Sequence, residues 1–394
     1  MRLLFIFDIG FDRIGPSVHL LQDVLKSALK EGHDVSVILK NTNGPDSEMP
    51  EEFASHPKFH YTVIKESPNK AGFITRYLND VKYAQKCRRI VRGHGSYDVV
   101  FLQSNVVAYF YMKWLARMDC KIVFNVQDIF PYNLKLSGQL PLEPIAFPFF
   151  RKLQNMAYKK ADAIITISDD MKQTLIEDGI ASDKITVIYN WSYADAPISL
   201  GVIEPENIFD LHLDPEKYNV IYAGNIGKMQ NVEIIASTAI KMKDNNRVHF
   251  YIIGAGANKQ HIEEMTEDLS NVSILPMQPA KYAESIYSQA DLNVIPLAPG
   301  GIKTALPSKT ATVLRINKPV VFCIDQNSCF SRMFEKDENI KCIDCNDYNE
   351  LYSYLTSNCG KKKITSEHRI YDVFSVRNAD KYVRLMEEIC NKAE

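Results

Sequence analysis

The sequence comprises 394 residues, of which 46% are hydrophobic and 24% charged, with a formal net charge of −2. These values are typical of a globular chain long enough for two domains, and the charge gives no overall attraction to nucleic acid. Because no run of about 18 uncharged apolar residues occurs, a membrane-spanning helix is not expected.

The first apolar run, residues 3–7, ends at Asp8, and no small-residue cleavage site follows it. We therefore expect a first β-strand rather than a signal peptide. The eight cysteines are scattered without a framework spacing, which favours a reducing cytoplasm. Cys342 and Cys345 have the spacing of metal ligands, but no second pair matches them and no metal site is expected.

Short apolar runs alternate with amphipathic stretches along the chain, the pattern of a doubly wound α/β sheet. The first helix is expected from about residue 17 to 31. In the first half, strands are predicted at residues 3–7, 35–39, 61–64, 99–103, 122–126, 163–167 and 185–189. In the second half, they are predicted at residues 219–223, 249–253, 272–275, 292–296, 320–323 and 340–344.

The pattern breaks once, in a Pro-rich, polar stretch that follows Asn190. We predict an N-terminal Rossmann-like domain over residues 1–195, a linker over 196–215 and a second Rossmann-like domain over 216–372. The residues 373–394 are expected to form a helix that packs back on the first domain. Since ligands of open α/β sheets bind at the carboxyl ends of strands, the site is expected in a central cleft that both domains face.

Two segments of the first half leave predicted strands and carry polar or flexible residues. Gly15 allows a tight turn after the first strand, and Ser17 can cap the helix that follows. Gln127 and Asp128 directly follow a buried run, where a carboxylate can accept hydrogen bonds from sugar hydroxyls. The alternative is that these residues only shape turns.

Two glycine-containing loops follow predicted strands of the second half. In the first, Gly224, Asn225 and Gly227 precede Lys228, and the next predicted strand ends in Gly254 and Gly256. Glycines let backbone N–H groups approach a pyrophosphate, and a lysine supplies a cation. Each loop alone is a weak signal, and neither completes a dinucleotide fingerprint.

Residues 297–312 combine a Gly-led loop with two lysines. Pro307 suits the first position of a helix, which would place Ser308 and Lys309 in its first turn. A cation there is unfavourable for the helix dipole unless an anion binds, so Lys303 and Lys309 are candidate phosphate ligands. Solvated surface lysines are the alternative.

The ordered segments "VQDIFP", "ADAIITIS", "KITVIYNWS", "YAGNIGKMQNVE", "IIGAGA" and "LPSKTATVLRINKPVV" resemble those of family 4 glycosyltransferases with the GT-B fold, most closely the capsule and O-antigen type. The resemblance spans most of the chain. It implies retaining, metal-independent transfer of a sugar from a nucleotide sugar, UDP- or GDP-linked, with no further cofactor. The first domain would bind the acceptor and the second the donor.

The resemblance also implies roles for individual residues. Asp128, Lys228 and Lys309 would be catalytic. Residues that would bind the donor or its phosphates are Gly224, Asn225, Gly227, Gly254, Gly256, Lys303, Thr304, Pro307, Ser308 and Thr312. Those on the acceptor side would be Gly15, Ser17, Gln127 and Asn190.

The chain departs from the family at the donor site. Thr304 and Thr312 occupy the positions where many members carry a pair of glutamates eight residues apart. Thr312 would replace the Glu that holds the ribose hydroxyls, and a neutral hydroxyl forms a weaker bond than a carboxylate. Asn225 stands in place of an Arg and Gln127 in place of a His. These differences from the family bear on which donor is bound and on whether the chain is catalytically competent, and they have little bearing on the fold.

Two segments of the first half combine basic and aromatic residues. One carries Lys82, Lys86, Arg88, Arg89 and Arg92, and the other carries Phe147, Phe149, Phe150, Arg151, Lys152, Lys159 and Lys160. Such helices suit an anionic membrane surface, although a helix with one core face and one solvated basic face has the same sequence pattern. We expect a cytoplasmic protein that contacts the inner face of the cell membrane.

The leading hypothesis is transfer of one sugar to a polyprenyl-diphosphate-linked or free oligosaccharide in surface polysaccharide biosynthesis. A catalytically weakened subunit that supports a partner glycosyltransferase is the alternative, favoured by the missing glutamate pair. A GT-B sugar-nucleotide epimerase is disfavoured because no carboxylate pair stands in the loops that follow the strands.

Overall fold

The computed structural model describes residues 1–11, 18–41, 49–66, 72–93, 95–103, 105–192, 206, 208–360 and 371–391. The chain forms two compact units. The first comprises Met1–Lys135, Gln139–Asn190 and Val376–Glu394, and the second comprises Leu136–Gly138 and Trp191–Ser375. Residues 196–205 and 207 of the expected linker lie outside the described residues, as do Gly15 and Ser17.

The first unit contains seven strands: β1 (Arg2–Ile6), β2 (Asp34–Asn41), β3 (Phe59–Lys65), β4 (Val99–Gln103), β5 (Lys121–Val126), β6 (Ala163–Thr166) and β7 (Ile185–Val187). They form one sheet in the order β3-β2-β1-β4-β5-β6-β7, and every neighbouring pair is parallel. The order reverses direction between β1 and β4, as in a doubly wound sheet.

The described residues that connect these strands form α1 (Val18–Lys30), α2 (Glu51–Ala54), α3 (Phe73–Arg92), α4 (Ala108–Leu115), α5 (Tyr132–Leu136), α6 (Glu143–Tyr158) and α7 (Asp169–Glu177). A parallel sheet requires such crossovers, since each strand must start again at the same edge. The apolar face of α1 shows the helical spacing that buries Leu21, Leu25 and Ala28 against the sheet.

The second unit contains β8 (Tyr218–Asn225), β9 (Val248–Ala255), β10 (Val272–Leu275), β11 (Leu292–Pro296), β12 (Val320–Ile324) and β13 (Ile340–Asp344). Their order is β10-β9-β8-β11-β12-β13, again all parallel. The helices are α8 (Glu233–Lys241), α9 (Lys259–Thr266), α10 (Ala283–Ser288), α11 (Thr310–Ile316), α12 (Cys329–Met333) and α13 (Tyr348–Asn358).

The last helix, α14 (Asn378–Asn391), belongs to the first unit. It lies along α1, where the Ser27 hydroxyl donates a hydrogen bond of 2.6 Å to the Asp380 carboxylate. His33 and Glu387 are joined by a 3.0 Å contact between Nε2 and Oε1. The buried Tyr382 ring packs against Phe101 of β4, so α14 covers part of the first sheet.

The central strands of both sheets are buried along most of their length, as expected when helices cover both faces of a parallel sheet. All thirteen predicted strands are present among the described residues, with bounds that differ by at most a few positions. The predicted fold class of two Rossmann-like α/β domains is confirmed. Among the described residues, no helix combines the length and apolar character needed to cross a membrane.

Candidate active site

In the second unit, the carboxyl ends of β8 and β9 lie unusually close together. Gly224 is the β-sheet partner of Gly254. A Cβ atom at position 254 would lie 2.0 Å from the Gly224 carbonyl oxygen, and one at Gly256 would lie 2.3 Å from the Ile226 oxygen. Only glycine fits these positions, so the contact between the two loops itself explains both residues.

Lys309 reaches this same strand end from the segment before α11. Its Nζ donates a 2.9 Å hydrogen bond to the Ala223 carbonyl and lies 4.0 Å from the centre of the Tyr222 ring. A Cβ atom at Gly224, whose φ is +144°, would lie 2.6 Å from that Nζ. Gly224 therefore makes room for the ammonium group as well as for the turn.

Burial lowers the pKa of Lys309 to about 7, because the charged form loses hydration there. The Tyr222 ring face offsets part of that loss through a cation–π contact. No carboxylate of the described residues lies within ion-pair distance of Nζ. A bound anion would supply the missing counter-charge and raise the pKa again.

Sequence reasoning did not identify the tyrosines that build this site. The Tyr287 hydroxyl donates a 2.7 Å hydrogen bond to the Ala223 carbonyl, so that oxygen accepts both of its hydrogen bonds from fixed donors. The Tyr222 hydroxyl bonds the Asn225 carbonyl. From the sequence, Tyr222 is predicted only as a buried strand residue, and the residues around it do not indicate a contact with a lysine.

The predicted helix start at Pro307 is wrong, because α11 begins at Thr310. The Thr310 N–H donates 2.9 Å to the Pro307 carbonyl, so residues 307–310 form a turn that precedes the regular helix. Pro307 is partly buried, and Ser308 is exposed within that turn. Lys309 is thus the N-cap residue of α11, and its ammonium group is held by the Tyr222 ring and the Ala223 carbonyl.

The two threonines of the expected glutamate positions have different surroundings. Thr304 is buried, and its hydroxyl donates 3.1 Å to the Gly301 carbonyl, so it closes a turn of its own loop. Thr312 is partly buried within α11. The Lys303 side chain is exposed. Asp325, which follows β12 and which sequence reasoning missed, accepts the Gly300 N–H at 3.0 Å and fixes the start of this loop.

In the loop after β8, a turn separates Lys228 from the helix that follows. Residues Lys228–Gln230 form a single 3₁₀ turn, and α8 begins only at Glu233. Asn231, with φ of +48°, separates the two. Lys228 is exposed at the start of the 3₁₀ turn, so an α-helix dipole does not explain its position.

Asn225 and Gly227 shape this loop. The Asn225 side-chain amide donates 2.9 Å to the Gln230 carbonyl oxygen, Oε1. A Cβ atom at Gly227 would lie 2.7 Å from the same oxygen. Asn225 thus connects the two ends of the loop through a side-chain hydrogen bond.

In the first unit, three polar side chains form a chain of hydrogen bonds at the carboxyl end of β5. Asn190 Nδ2 donates 2.7 Å to Gln127 Oε1, and Gln127 Nε2 donates 3.0 Å to Asn125 Oδ1. Asn190 Oδ1 is buried with no hydrogen-bond partner among the described residues. Gln127 and Asn190, which were predicted separately for the acceptor side, are thus brought together by the structure.

Asp128 follows Gln127 and has no hydrogen-bond or ion-pair partner among the described residues. Its side chain is accessible to water, yet desolvation raises the pKa of its carboxyl to about 6. A carboxyl group with this pKa changes charge near neutral pH, as a residue that handles a proton or a hydroxyl group must.

No group of three or more His, Cys, Asp or Glu side chains within the described ranges is arranged to hold a metal ion. Cys342 lies in β13 and Cys345 directly follows it. Both are free thiols, and burial raises the pKa of each to about 12, so neither is a ready thiolate ligand at neutral pH.

Residues 18–191 match the family model Glycosyltransferase Family 4, and residues 217–354 match Glycosyl transferases group 1. Together, the two matches cover most of the chain and coincide with the two folded units. The chain belongs to the GT-B glycosyltransferases, with a family 4 domain followed by a group 1 domain.

Relatives support this classification. A candidate colanic acid biosynthesis glycosyl transferase of Escherichia coli (strain K12), WcaI, is 28% identical over 218 residues, 52% of each chain. The chain thus matches about half the length of this curated relative. Sucrose-phosphate synthase from Thermosynechococcus elongatus has the same fold with a TM-score of 0.71 at 12% identity, covering 100% of this chain and 97% of that one.

Anabaena HepE, solved in complex with UDP, has the same fold with a TM-score of 0.61 at 15% identity. The likeness covers 100% of this chain and 98% of HepE. HepE has also been solved with UDP-glucose. At these identities, the structural likenesses establish the GT-B fold.

Proposed function

We propose that this chain transfers a sugar from a nucleotide sugar to a growing saccharide in surface polysaccharide biosynthesis. The observation that carries the proposal is the Lys309 ammonium, held without a counter-ion at the joined ends of β8 and β9. The name of WcaI, which refers to colanic acid biosynthesis, supports the polysaccharide context. The HepE complexes with UDP and UDP-glucose support a nucleotide-sugar donor.

In this proposal, Lys309 neutralises the leaving diphosphate of the donor. Charge develops on that group as the glycosidic bond to the sugar breaks, and a preorganised cation stabilises it more in the transition state than in the ground state. The hydrogen bond to Ala223 fixes Nζ in advance, so little reorganisation is needed. Lys228 is the second, more mobile cation, placed on the exposed turn of the neighbouring loop.

The acceptor is proposed to bind at the carboxyl end of β5. Asp128 accepts a hydrogen bond from the attacking hydroxyl, and its raised pKa makes the carboxyl a better proton acceptor than an ordinary aspartate. The chain of bonds through Asn190 and Gln127 holds the adjoining backbone in place. A polyprenyl-diphosphate-linked or free oligosaccharide is the proposed acceptor class.

We further propose that transfer retains the anomeric configuration and needs no metal ion, as the resemblance to family 4 implies. Both properties are measurable on one reaction. The anomeric configuration of the product, read by NMR, must equal that of the donor, and EDTA must leave the rate unchanged. Inversion, or loss of activity that is restored by a divalent cation, would contradict this part of the proposal.

A panel of nucleoside diphosphates and their glucose conjugates tests the main proposal. Calorimetric titration of the full chain with UDP, GDP and ADP should show binding of at least one of them, and the matching nucleotide sugar should be consumed when acceptor is added. If none of the panel binds at millimolar concentration, the donor site is not present.

One observation favours the second candidate function, a weakened subunit that supports a partner glycosyltransferase. The Thr304 hydroxyl already donates a hydrogen bond within its own loop, so this position offers no strong ligand to a donor. The two candidates differ in a simple experiment, because a supporting subunit raises the rate of a second glycosyltransferase while showing no sugar transfer or donor hydrolysis alone.

Peripheral contact with the inner face of the cell membrane is also proposed. The exposed side of α6 carries Ile145 and Phe149, and that of α3 carries Ile74 and Leu78, each more than half exposed. Exposed apolar residues on neighbouring helices with basic residues suit an anionic interface. Co-sedimentation with anionic liposomes at low salt tests this, and absence of co-sedimentation would remove the proposal.

A further inference from the structure

The first unit contains a pocket of about 670 Å³ between α3, α4 and the end of α6. Its lining includes Lys113, Trp114 and Arg117 at the end of α4. In a crossover unit, a helix returns toward the amino ends of the strands, so these residues lie toward the edge of the sheet opposite Asp128. The pocket is therefore separate from the site described above.

The charges around this pocket are all of one sign. Arg88 of α3, Lys113 and Arg117 of α4's end, and Lys160 after α6 all line it, and no Asp or Glu does. None of the four forms a salt bridge with a described residue. Four neighbouring cations without a counter-ion repel each other, and a bound anion removes that repulsion.

Two buried N–H groups in this lining have no partner. The Trp114 side chain is only 7% exposed, and its indole Nε1 donates to no atom of the described residues. The Arg88 Nε is likewise buried without an acceptor within that part of the chain. Buried donors are normally satisfied by protein or ordered water, and a ligand that brings oxygen atoms to this lining would satisfy both of them.

The remaining wall of the pocket is apolar and continues along α6. Phe110 and Met156 line it, and Met156 also lines an adjoining, more open pocket of about 400 Å³. Ile145 and Phe149 lie four residues apart on α6, and together with Met156 they are each at least 40% exposed. An apolar chain leaving the pocket would thus find an apolar track on the surface.

We propose that this pocket, named the α4 pocket, binds the phosphate group of an anionic amphiphile. The phosphate oxygens accept hydrogen bonds from Trp114 Nε1 and Arg88 Nε, and the surrounding cations neutralise the charge. The apolar chain leaves past Met156 onto α6. This role is independent of sugar transfer, whose phosphates we place in the second unit.

The test is a titration of the full chain with dihexanoyl phosphatidic acid, kept below its aggregation concentration. Calorimetry gives the affinity, and tryptophan fluorescence reports on Trp114 when it is compared with that of W114F, in which only Trp191 remains. We expect saturable binding that the double substitution K113Q/R117Q weakens by about tenfold or more, since hydrogen bonds to charged groups are lost. Both residues are exposed, so this variant should fold normally. W114F should abolish the fluorescence change.

A matched control removes two exposed lysines of the second unit, K243Q/K336Q, and should bind as the wild type does. Dihexanoyl phosphatidylcholine should bind at least tenfold more weakly, and so should inorganic phosphate. Equal binding of inorganic phosphate would overturn the amphiphile assignment. No binding, or an equal loss in the control variant, would overturn the site. Nucleoside diphosphate affinity, measured in parallel, should be unchanged in K113Q/R117Q, which separates this site from the donor site.

Discussion

The two units share a parallel, doubly wound sheet, yet their central strands end in different chemistry. At the end of β5, the first unit presents amides that donate and accept hydrogen bonds, and the Asp128 carboxyl group lies beside them. At the ends of β8 and β9, the second presents glycines and a single buried ammonium. One topology thus supports a surface for hydroxyl groups in one unit and for an anion in the other.

The difference arises from how each strand end is filled. In the second unit, the loops after β8 and β9 approach so closely that side chains are excluded, and the Lys309 ammonium occupies the space beside Gly224. In the first unit, Gln127 and Asn190 fill the space beyond the end of β5 and bond each other. The glycine backbone and the Lys309 cation suit a diphosphate. The paired amides of Gln127 and Asn190, with the Asp128 carboxyl group, suit a sugar.

The largest effect is expected from Gly254→Ala, which places a methyl group 2.0 Å from the Gly224 carbonyl. The ends of β8 and β9 must separate, at a cost of about 3 kcal/mol in the free energy of unfolding. The variant should also lose its binding of nucleoside diphosphates. Urea unfolding measures the first effect and calorimetry the second.

Gly72→Ala is the control for this change, because its added methyl group meets nothing within 4 Å. It should alter stability by less than about 1 kcal/mol. A Gly254→Ala protein as stable as the control would show that the loops are not packed as described.

The first unit's site is tested by Asp128→Asn. We expect turnover to fall about a hundredfold with unchanged affinity for the nucleoside diphosphate, since a positioned proton acceptor is lost. The wild-type rate should rise with pH through about 6, because the deprotonated carboxylate is the form that accepts the proton. The variant should lack that rise. Equal losses of donor affinity and turnover would instead place Asp128 at the donor.

The smallest effect is expected from Asn190→Ala, which leaves Gln127 Oε1 without its 2.7 Å donor. Loss of one partly buried hydrogen bond should reduce the free energy of unfolding by about 1 kcal/mol. Asn246→Ala, at an exposed position, is the control and should change it by less than about 0.5 kcal/mol. Thermal unfolding of both variants gives the comparison.

The strands could be predicted because short apolar runs alternate with amphipathic stretches throughout. The glycines of the second unit were recognised, although the contact between β8 and β9 explains Gly254 without any ligand. Lys309 was selected as an unfavourable cation in a helix's first turn, and the helix proved to start after it. Its true setting depends on Tyr222, 87 positions earlier, and such contacts between distant segments leave no local pattern.

The course of the loop after β8 was not predictable for a related reason. Its 3₁₀ turn ends at Asn231, which adopts a left-handed backbone conformation that asparagine tolerates but does not require. The pair of Gln127 and Asn190 was proposed separately for each residue, and only the fold shows that they bond each other.

The central claim is that Lys309 is the cation of a diphosphate site, and its pH dependence tests that claim directly. Affinity for the tightest-binding nucleoside diphosphate is measured between pH 7 and 9 for the wild type, Lys309→Met and Lys228→Met. Without a ligand, Lys309 has a pKa of about 7, and a bound anion raises that pKa. Wild-type affinity should therefore fall roughly tenfold over this range.

Lys309→Met should bind about tenfold more weakly at pH 7 and lose the pH dependence. Lys228→Met should keep the dependence and lose only about threefold in affinity, as expected for an exposed charge. A Lys309→Met protein with wild-type affinity and an unchanged pH profile would contradict the account.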